Sequence, residues 1–309
     1  MIQEKIVVGS GGDFPLNGLL TIPDNSTAPH PAVVFVHGSG ASDMNSKVYE
    51  VRPFKDLAEG LAKLGVASIR YDKRSFTHGK QMVKALGGSL TVWEEAIEDA
   101  VLAAAMLRDD PRIDPDRVFI VGLSLGGHLA PRIDAEGGDF AGLIIMAGSP
   151  RRLEEIIREQ QNEYLKNARG LIKWIAGKQI KKIAAKLDNI YTLSDEEAKM
   201  IPFAGGTSIY YLKEMGEKPV ADYLKDLNKP ILVMHPEKDV QVSLEKDFGA
   251  YKEILRAHPR VTFKLYEGLN HAFMPSIYGT VNKAMKEFKV PQNVDPRVIS
   301  DMADWMKSV

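Results

Sequence analysis

The chain of 309 residues contains no cysteine. This absence excludes disulfide bonds, thiolate metal ligands and a cysteine nucleophile together, and it is compatible with a reducing compartment. Long apolar runs are also lacking: none approaches the ~18 residues that cross a bilayer, and no apolar core of signal-peptide length follows Met1. We therefore expect a cytoplasmic protein without a membrane span.

Neither basic nor acidic residues are in clear excess. There are 40 Lys and Arg residues against 41 Asp and Glu residues, which gives a net charge of −1. Without a global field, neither nucleic acid nor an anionic membrane is an expected partner, and the short basic run at 178–182 has the spacing of a solvated helix face. With 44% hydrophobic residues the chain can bury a full layered core. No oligomeric state is predicted, although the composition is compatible with a homo-oligomer.

The apolar pattern predicts a mostly parallel α/β sheet with a hairpin at its start. The predicted strands are residues 4–8, 16–22, 32–36, 66–71, 118–121, 141–147, 231–235 and 261–266. The predicted helices of the same part are residues 54–64, 92–107, 125–135, 243–257, 276–288 and 295–307. Strands separated by helices of this length form right-handed βαβ units, so the fold class is α/β.

One long helical segment interrupts this alternation. Residues 151–188 are almost wholly helical in pattern, and Ser194-Asp195-Glu196-Glu197 is a capping box that opens another short helix. No strand pattern appears for about 80 residues. The chain therefore divides into a sheet domain, residues 1–150 and 227–309, and a helical insertion, residues 151–226.

Ser124 is the predicted nucleophile. It stands in Gly122-Leu123-Ser124-Leu125-Gly126, between a predicted strand and a predicted helix. In this context a Gly-x-Ser-x-Gly turn is sharp, and it lifts the serine hydroxyl above the carboxyl edge of the sheet. It also directs the positive end of the helix dipole at an oxyanion that develops there. An ordinary turn serine is the alternative interpretation.

A serine nucleophile needs a general base, and His271 has the best position among the seven histidines. It follows the last predicted strand, and catalytic groups gather in loops at the carboxyl ends of parallel strands. His235 also ends a strand but precedes Pro236, which makes it a weaker candidate. His37 and His128 are better suited to structural roles.

The base needs a carboxylate that fixes its tautomer, and Asp239 is the predicted residue. It follows the strand at 231–235 directly, and Glu237, two positions earlier, is its rival. The chain order Ser124, Asp239, His271 is the nucleophile–acid–base order of the α/β-hydrolase triad. Three residues that follow strand ends in this order argue against a chance match.

The predicted oxyanion hole uses two backbone N–H groups. His37-Gly38-Ser39-Gly40 follows the buried strand at 32–36, and its small residues let the chain pass close to a substrate carbonyl. We expect the Ser39 N–H and the Leu125 N–H, which follows the nucleophile, to bind the oxyanion. The run Tyr71-Asp72-Lys73-Arg74 is interpreted as a loop ion-pair network with no part in the chemistry.

These residues resemble the α/β-hydrolase superfamily, and within it the bacterial capped serine esterases of the dienelactone-hydrolase-like and acylaminoacyl-peptidase-like branch. The resemblance lies in residues 33–40, 69–74, 121–127, 230–242 and 261–273. It implies an eight-stranded sheet flanked by helices, with a helical cap inserted after the sixth strand. It also implies hydrolysis of carboxylic esters through an acyl-enzyme, with no metal and no cofactor.

The sequence differs from the motifs of several related families, and these differences narrow the group of families that it resembles. Dienelactone hydrolases proper use cysteine, which this chain lacks, and dehalogenases use Asp where Ser124 stands. The oxyanion segment is His-Gly-Ser-Gly, whereas hormone-sensitive-lipase-like esterases have His-Gly-Gly-Gly. Peptidase relatives carry a β-propeller before the hydrolase domain, and only 31 residues precede Ala32, so peptidase activity is not expected.

We predict a serine carboxylesterase that acts on small to medium esters, with a small-molecule ester as its partner. Thioester or amide hydrolysis by the same triad is one alternative, and a non-catalytic protein that binds a ligand under the cap is another. Aromatic residues of the insertion are the candidates for lining the substrate pocket. They are Trp174, Phe203, Tyr210 and Tyr211.

Overall fold

The eight predicted strands all form, and they belong to one sheet in the computed structural model, which describes residues 1–24, 29–167 and 169–309. The strands are β1 (Ile2–Val8), β2 (Leu16–Ile22), β3 (His30–Val36), β4 (Ala67–Tyr71), β5 (Ile113–Leu123), β6 (Leu143–Met146), β7 (Ile231–Pro236) and β8 (Val261–Tyr266). Across the sheet their order is β1, β2, β4, β3, β5, β6, β7, β8. β2 alone runs opposite to the other seven strands, so the predicted mostly parallel sheet is confirmed.

Helices fill the connections between the strands. Those of the sheet domain are α1 (Pro53–Lys63), α2 (Arg74–Thr77), α3 (Gly79–Leu86), α4 (Glu98–Arg108) and α5 (Leu125–Ile133). Those between β6 and β7 are α6 (Leu153–Asn167), α7 (Gly170–Leu187), α8 (Asp195–Lys199), α9 (Tyr210–Glu217) and α10 (Val220–Lys225). The last three are α11 (Gly249–Ile254), α12 (Ala284–Glu287) and α13 (Pro296–Ser308).

The central strands are apolar on both faces because helices cover both. Every residue of β3 is buried, and successive side chains alternate between two cores. Val34 packs in the core beneath α4 and α5, whereas Phe35 packs in the core beneath α1 and α13. This explains why β3 is a continuous apolar run instead of an alternating one.

The register brings the carboxyl ends of the central strands together. Val36, the last residue of β3, pairs with Gly122 near the end of β5, and Leu123 pairs with Met146 of β6. Met146 in turn pairs with Met234 of β7. Segments that leave these strands therefore begin side by side at one edge of the sheet, which is where the predicted site residues lie.

The insertion is helical, as its pattern predicts. Over the described residues between β6 and β7, the backbone forms no strand beyond a single bridge between Pro202 and Ser208. The capping box is present: Ser194 accepts from the Glu197 N–H, and the Glu197 carboxylate accepts from the Ser194 N–H. None of the described helices combines the length and the apolar content that crossing a bilayer requires.

Two local predictions differ from the structure. The helix predicted at 276–288 is confined to a turn at Val281–Lys283 and to α12, and before it the Glu287 carboxylate accepts from the N–H groups of Tyr278 and Gly279. Conversely, α2 and α3 give little signal in the sequence, because only Arg74 and Met82 of their twelve residues are buried.

Candidate active site

Ser124 occupies a strained turn between β5 and α5. Its backbone has φ +57° and ψ −116°, outside the regions that a side chain normally allows, and such a conformation costs about 1–3 kcal/mol. The Ser124 N–H donates to the Met146 carbonyl at 2.8 Å, and its carbonyl accepts from the His128 N–H at 3.0 Å. The turn is therefore held from both sides, and it presents the hydroxyl at the sheet edge.

The glycines on either side of Ser124 are required by backbone contacts. A Cβ on Gly122 would lie 2.2 Å from the Gly126 carbonyl oxygen, and a Cβ on Gly126 would lie 2.2 Å from the Val36 carbonyl oxygen. Gly38 approaches from the neighbouring strand end, where its Cβ would lie 3.2 Å from the Ser124 Cβ. The close packing of three backbone segments explains the spacing of the motif.

His271 and Asp239 lie in contact, as the sequence predicts for a base and its orienting acid. The His271 Nδ1 and the Asp239 Oδ2 are 2.7 Å apart. A carboxylate can only accept, so Nδ1 is the donor of this pair, and in the neutral imidazole this tautomer makes Nε2 the acceptor. The Asp239 side chain is fully buried, whereas the His271 side chain keeps 12% of its surface exposed.

The position of Asp239 is fixed by its own loop. Its Oδ1 accepts from the N–H groups of Gln241 and Val242, at 2.8 and 3.0 Å. The rival carboxylate, Glu237, faces elsewhere: it accepts from the Gly268 N–H at 3.0 Å and from Lys238 at 3.2 Å. The Gly268 N–H, with Lys238, lowers the pKa of Glu237 below its ordinary value. The geometry therefore brings Asp239, and not Glu237, to His271.

A buried clamp that the sequence did not indicate shapes the loop around His271. The Asn270 Oδ1 accepts from the Ala272 and Met274 N–H groups, and its Nδ2 donates to Glu287 at 2.8 Å. The other Glu287 oxygen accepts from Ser276. No local sequence signal joins Asn270 to Glu287, since they lie 17 positions apart.

Three other histidines near the site are buried and belong to the framework. The His37 Nε2 lies 3.0 Å from the Asp43 carbonyl, and burial, with the nearby Lys73 charge, lowers the pKa of His37 to about 3. The His128 Nδ1 lies 2.8 Å from the Ser149 carbonyl, and its ring lies beneath the insertion. His235 stacks on Phe248, and burial lowers its pKa also.

Ser124 and His271 open into one cavity of about 520 Å³, which Ser39 and Leu125 also line. Its walls are mainly apolar. The sheet-edge side is formed by Val48, Val51, Leu123, Ala272 and Phe288, and the opposite side by Leu153, Ile156, Ile157 and Gln160 of α6. Sequence reasoning missed these α6 residues, although their i, i+3, i+4, i+7 spacing is that of one helix face.

The four aromatic residues predicted to line the pocket lie elsewhere in the structure. Trp174 is 60% exposed on α7, where Lys178 lies over its ring. Tyr211 is buried and donates its hydroxyl to Glu95, and Phe203 and Tyr210 pack at the edge of the core. The structure does not bring any of the four to the cavity around Ser124.

Comparisons with known proteins agree with this architecture. Residues 33–277 match the model of the alpha/beta hydrolase family. The chain belongs to the α/β-hydrolase family. It is 34% identical to Esterase EstD of Thermotoga maritima over 304 residues, which cover 98% of this chain and 67% of that protein.

A second relative is an uncharacterized peptidase of Bacillus subtilis, 23% identical over 68% of this chain and 63% of its own length. The chain thus spans about two thirds of each relative. Among solved structures, Est1E of Butyrivibrio proteoclasticus has a TM-score of 0.57 at 14% identity, covering 98% of this chain and 99% of its own. An esterase of Pyrococcus furiosus has a TM-score of 0.58 at 16% identity, covering 99% and 91%. These matches confirm the predicted hydrolase fold and support an α/β-hydrolase esterase.

Proposed function

We propose that this α/β-hydrolase is a serine carboxylesterase, with Ser124 as nucleophile, His271 as general base and Asp239 as the acid that orients it. The observation that carries the proposal is the arrangement of these groups: a serine on a strained turn and a histidine paired at 2.7 Å with a buried carboxylate, both open to one apolar cavity. The similarity to an esterase at 34% identity supports the ester as the substrate class.

In the proposed mechanism Ser124 Oγ attacks the ester carbonyl carbon while its proton passes to His271 Nε2. Asp239 stabilises the imidazolium that forms, since its carboxylate faces Nδ1–H. The tetrahedral intermediate collapses, the alcohol leaves with the proton from Nε2, and an acyl-enzyme results. Water then attacks the acyl carbon with His271 again as base, which releases the acid and restores Ser124.

In this proposal two backbone N–H groups, those of Ser39 and Leu125, bind the oxyanion. Leu125 is the first residue of α5, and the first N–H groups of a helix have no acceptor within it. Ser39 follows Gly38, which packs against Ser124, and both line the cavity. The strain at Ser124 supports this role, because it exposes the hydroxyl while the helix N-terminus faces the reacting carbon.

The cavity suggests the kind of ester. Its volume of about 520 Å³ and its apolar walls suit a small to medium acyl or alcohol group. We propose that the insertion acts as a cap, since α6 supplies one wall of the cavity. A groove beside α6 shares Gln160, Gln241 and Val242 with the cavity, and it offers room for a further part of the substrate.

The decisive experiment is hydrolysis of p-nitrophenyl acetate, butyrate and octanoate by the wild type and by Ser124→Ala. We expect kcat/KM to fall by a factor of about 10⁴ or more in the variant, with an unchanged thermal unfolding curve. A fluorophosphonate probe should label the wild type and not the variant. Activity that persists in folded Ser124→Ala would contradict the assignment of the nucleophile.

The acid is tested by a matched pair of variants two positions apart. Asp239→Asn should lower kcat by about 10³–10⁴, because the amide can donate to Nδ1 and favour the wrong imidazole tautomer. Glu237→Gln should change kcat less than threefold, since that side chain contacts Gly268 and Lys238. The reverse ranking would move the acid role to Glu237.

A further inference from the structure

A buried lysine reaches the backbone of the segment beside Ser124. Lys73 follows β4, and its side chain keeps 3% of its surface exposed. Its Nζ donates to the Gly38 carbonyl at 3.0 Å and pairs with the Glu95 carboxylate at 3.0 Å. The sequence predicts that Lys73 belongs to a loop ion-pair network. The ion pair is present, with Glu95, and the hydrogen bond to the Gly38 carbonyl is a further contact that the sequence did not indicate.

The geometry of the peptide group gives this bond a consequence at the active site. The Gly38 C=O and the Ser39 N–H belong to one planar trans peptide, in which the two bonds point in opposite directions. A cation that fixes the carbonyl on one side therefore fixes the N–H on the other. Gly38 and Ser39 both line the cavity, and a Cβ on Gly38 would lie 3.8 Å from the Ser124 Oγ.

Other contacts already hold the fold of this loop. The Lys73 N–H donates to the Ser42 carbonyl at 3.0 Å, the Met44 N–H donates to the Asp72 carboxylate at 2.8 Å, and His37 contacts the Asp43 carbonyl. The Lys73 ammonium is thus not needed to close the loop. Its Nζ contacts the Gly38 carbonyl, and the orientation of that carbonyl fixes the direction of the Ser39 N–H bond.

The charge of Lys73 is balanced by Glu95, which a residue of the insertion also contacts. Glu95 accepts from Lys73 with one oxygen and from the hydroxyl of Tyr211, on α9, with the other. Burial would raise the pKa of Glu95, but the Lys73 charge and the Tyr211 hydroxyl bring it below its ordinary value, so the carboxylate stays charged. The buried ammonium is therefore paired, as a stable buried charge must be.

We infer that Lys73 is a positioning residue of the oxyanion hole: its ammonium orients and polarises the Gly38–Ser39 peptide so that the Ser39 N–H is directed at the oxyanion. The inference rests on the proposed esterase function. A hydrogen bond from a cation at the carbonyl strengthens the N–H of the same peptide as a donor. Since the oxyanion carries its charge only in the transition state, the effect belongs to kcat and not to substrate binding.

The test compares Lys73→Met with a matched control, Lys213→Met. Lys213 is a similarly buried lysine with two carboxylate partners, Asp195 and Glu217, but it lies on α9 away from the oxyanion segment. With p-nitrophenyl butyrate, Lys73→Met should lower kcat by about 10- to 100-fold and leave KM within about twofold, less than the 10²–10³ for complete loss of a donor. Lys213→Met should leave kcat within about twofold.

A transition-state analogue provides a readout that altered folding would not mimic. An alkyl trifluoromethyl ketone adds to the serine and forms an oxyanion in the same hole, so its inhibition constant should rise in Lys73→Met by the same factor by which kcat/KM falls. The inhibition constant of butyrate, the product acid, should change less than twofold. An unchanged constant for the ketone in a folded Lys73→Met would overturn the inference.

A second pair of variants keeps the test decisive if Lys73→Met does not fold. Lys73→Arg retains a cation beside the Gly38 carbonyl and Lys73→Gln retains only a neutral donor, so the inference requires a higher kcat for the arginine variant. Equal kcat values would overturn it. Wild-type turnover and fluorophosphonate labelling of Ser124 separate the outcomes: their failure would reject the proposed function, whereas their success with an active Lys73→Met rejects only this role.

Discussion

The two sides of the cavity are held in place by different kinds of contact. On the sheet side, the loops rise from strands such as β3, whose seven residues are all buried among apolar neighbours. On the insertion side, α6 is attached by polar contacts: Arg151 pairs with Asp247 and Glu159, Lys246 pairs with Glu159, and Gln160 donates to the Gln241 carbonyl. Among the described α6 side chains Glu154 and Ile156 are buried, and Leu153 and Ile157 pack partly buried against the core, so the apolar attachment of α6 is less extensive than that of β3.

This difference suits a hydrolase that must both hold its reacting groups and admit a substrate. Apolar packing on the sheet side contributes many small contacts that fail together, so Ser124, Asp239 and His271 keep their geometry. A few polar contacts on the insertion side can be broken one at a time, at a cost of one to a few kcal/mol each. Local opening should therefore begin at α6 and not at the strand ends.

The largest effect is expected from removal of a sheet core side chain. Phe35 is fully buried and stacks on Phe54 with ring centroids 5.0 Å apart. Phe35→Ala should lower the free energy of unfolding by about 3–5 kcal/mol, through lost burial and the cavity left behind. Denaturant unfolding measures the change, and Phe76→Ala, at a 53% exposed phenylalanine, is the control with less than about 0.5 kcal/mol expected.

A smaller but localised effect is expected at the base of the insertion. Asp247 is buried and accepts from the Ser149 hydroxyl at 2.6 Å, from Arg151 at 2.7 Å and from the Ser243 N–H at 2.6 Å. Asp247→Asn leaves Arg151 without its buried partner and should cost about 2–4 kcal/mol. Hydrogen exchange should become faster in α6, while β3 and β5 keep their protection.

The control for Asp247→Asn is an exposed ion pair within the insertion. Asp222 pairs with Lys225 on α10, with both side chains largely in solvent. Asp222→Asn should leave the unfolding free energy within the error of the measurement, because an exposed ion pair contributes little to stability. Faster exchange spread evenly over sheet and insertion in Asp247→Asn would contradict the division between the two sides.

The same difference explains what the sequence could predict. Strand positions follow from apolar runs whose period depends only on the backbone, so all eight strands were found and Leu16–Ile22 and Val261–Tyr266 match residue for residue. Ser124, Asp239 and His271 were selected because a catalytic motif, a strand end and chain order each point to them. Their contact, His271 to Asp239, is a consequence of the sheet order.

The polar network could not be predicted in this way. Lys73 with Gly38, Asn270 with Glu287 and Ser149 with Asp247 are joined across 17 to 98 positions by side chains whose partners depend on the completed fold. The predicted lining of the cavity differs from the structure for a related reason. Aromatic residues of the insertion were favoured by their type, whereas the structure turns the aliphatic face of α6 to Ser124 and leaves Trp174 in solvent.

Acidification should change the stability of the two sides of the cavity by different amounts. This is the smallest of the expected effects. Burial, with the Lys73 charge, lowers the pKa of His37 on the sheet side from 6.5 to about 3, so the unfolded chain binds a proton at pH 5 that the folded chain does not. The contribution of neutral His37 is complete above pH 6.5 and is lost as the pH falls below it, by about 2 kcal/mol at pH 5. On the insertion side, Arg151 lowers the pKa of Glu159 below 4.5, so that ion pair persists until the solution is more acidic.

His37→Gln keeps a hydrogen-bond donor of similar reach but removes the titrating ring. Between pH 7.5 and pH 5 the variant should lose about 2 kcal/mol less unfolding free energy than the wild type, as measured by urea denaturation at each pH. The matched control substitution is His78→Gln, at a histidine on the edge of the structure that contacts the Pro15 carbonyl. If His37→Gln and the wild type lost equal stability, the acid sensitivity would lie in other buried histidines, such as His128 and His235, and not in His37.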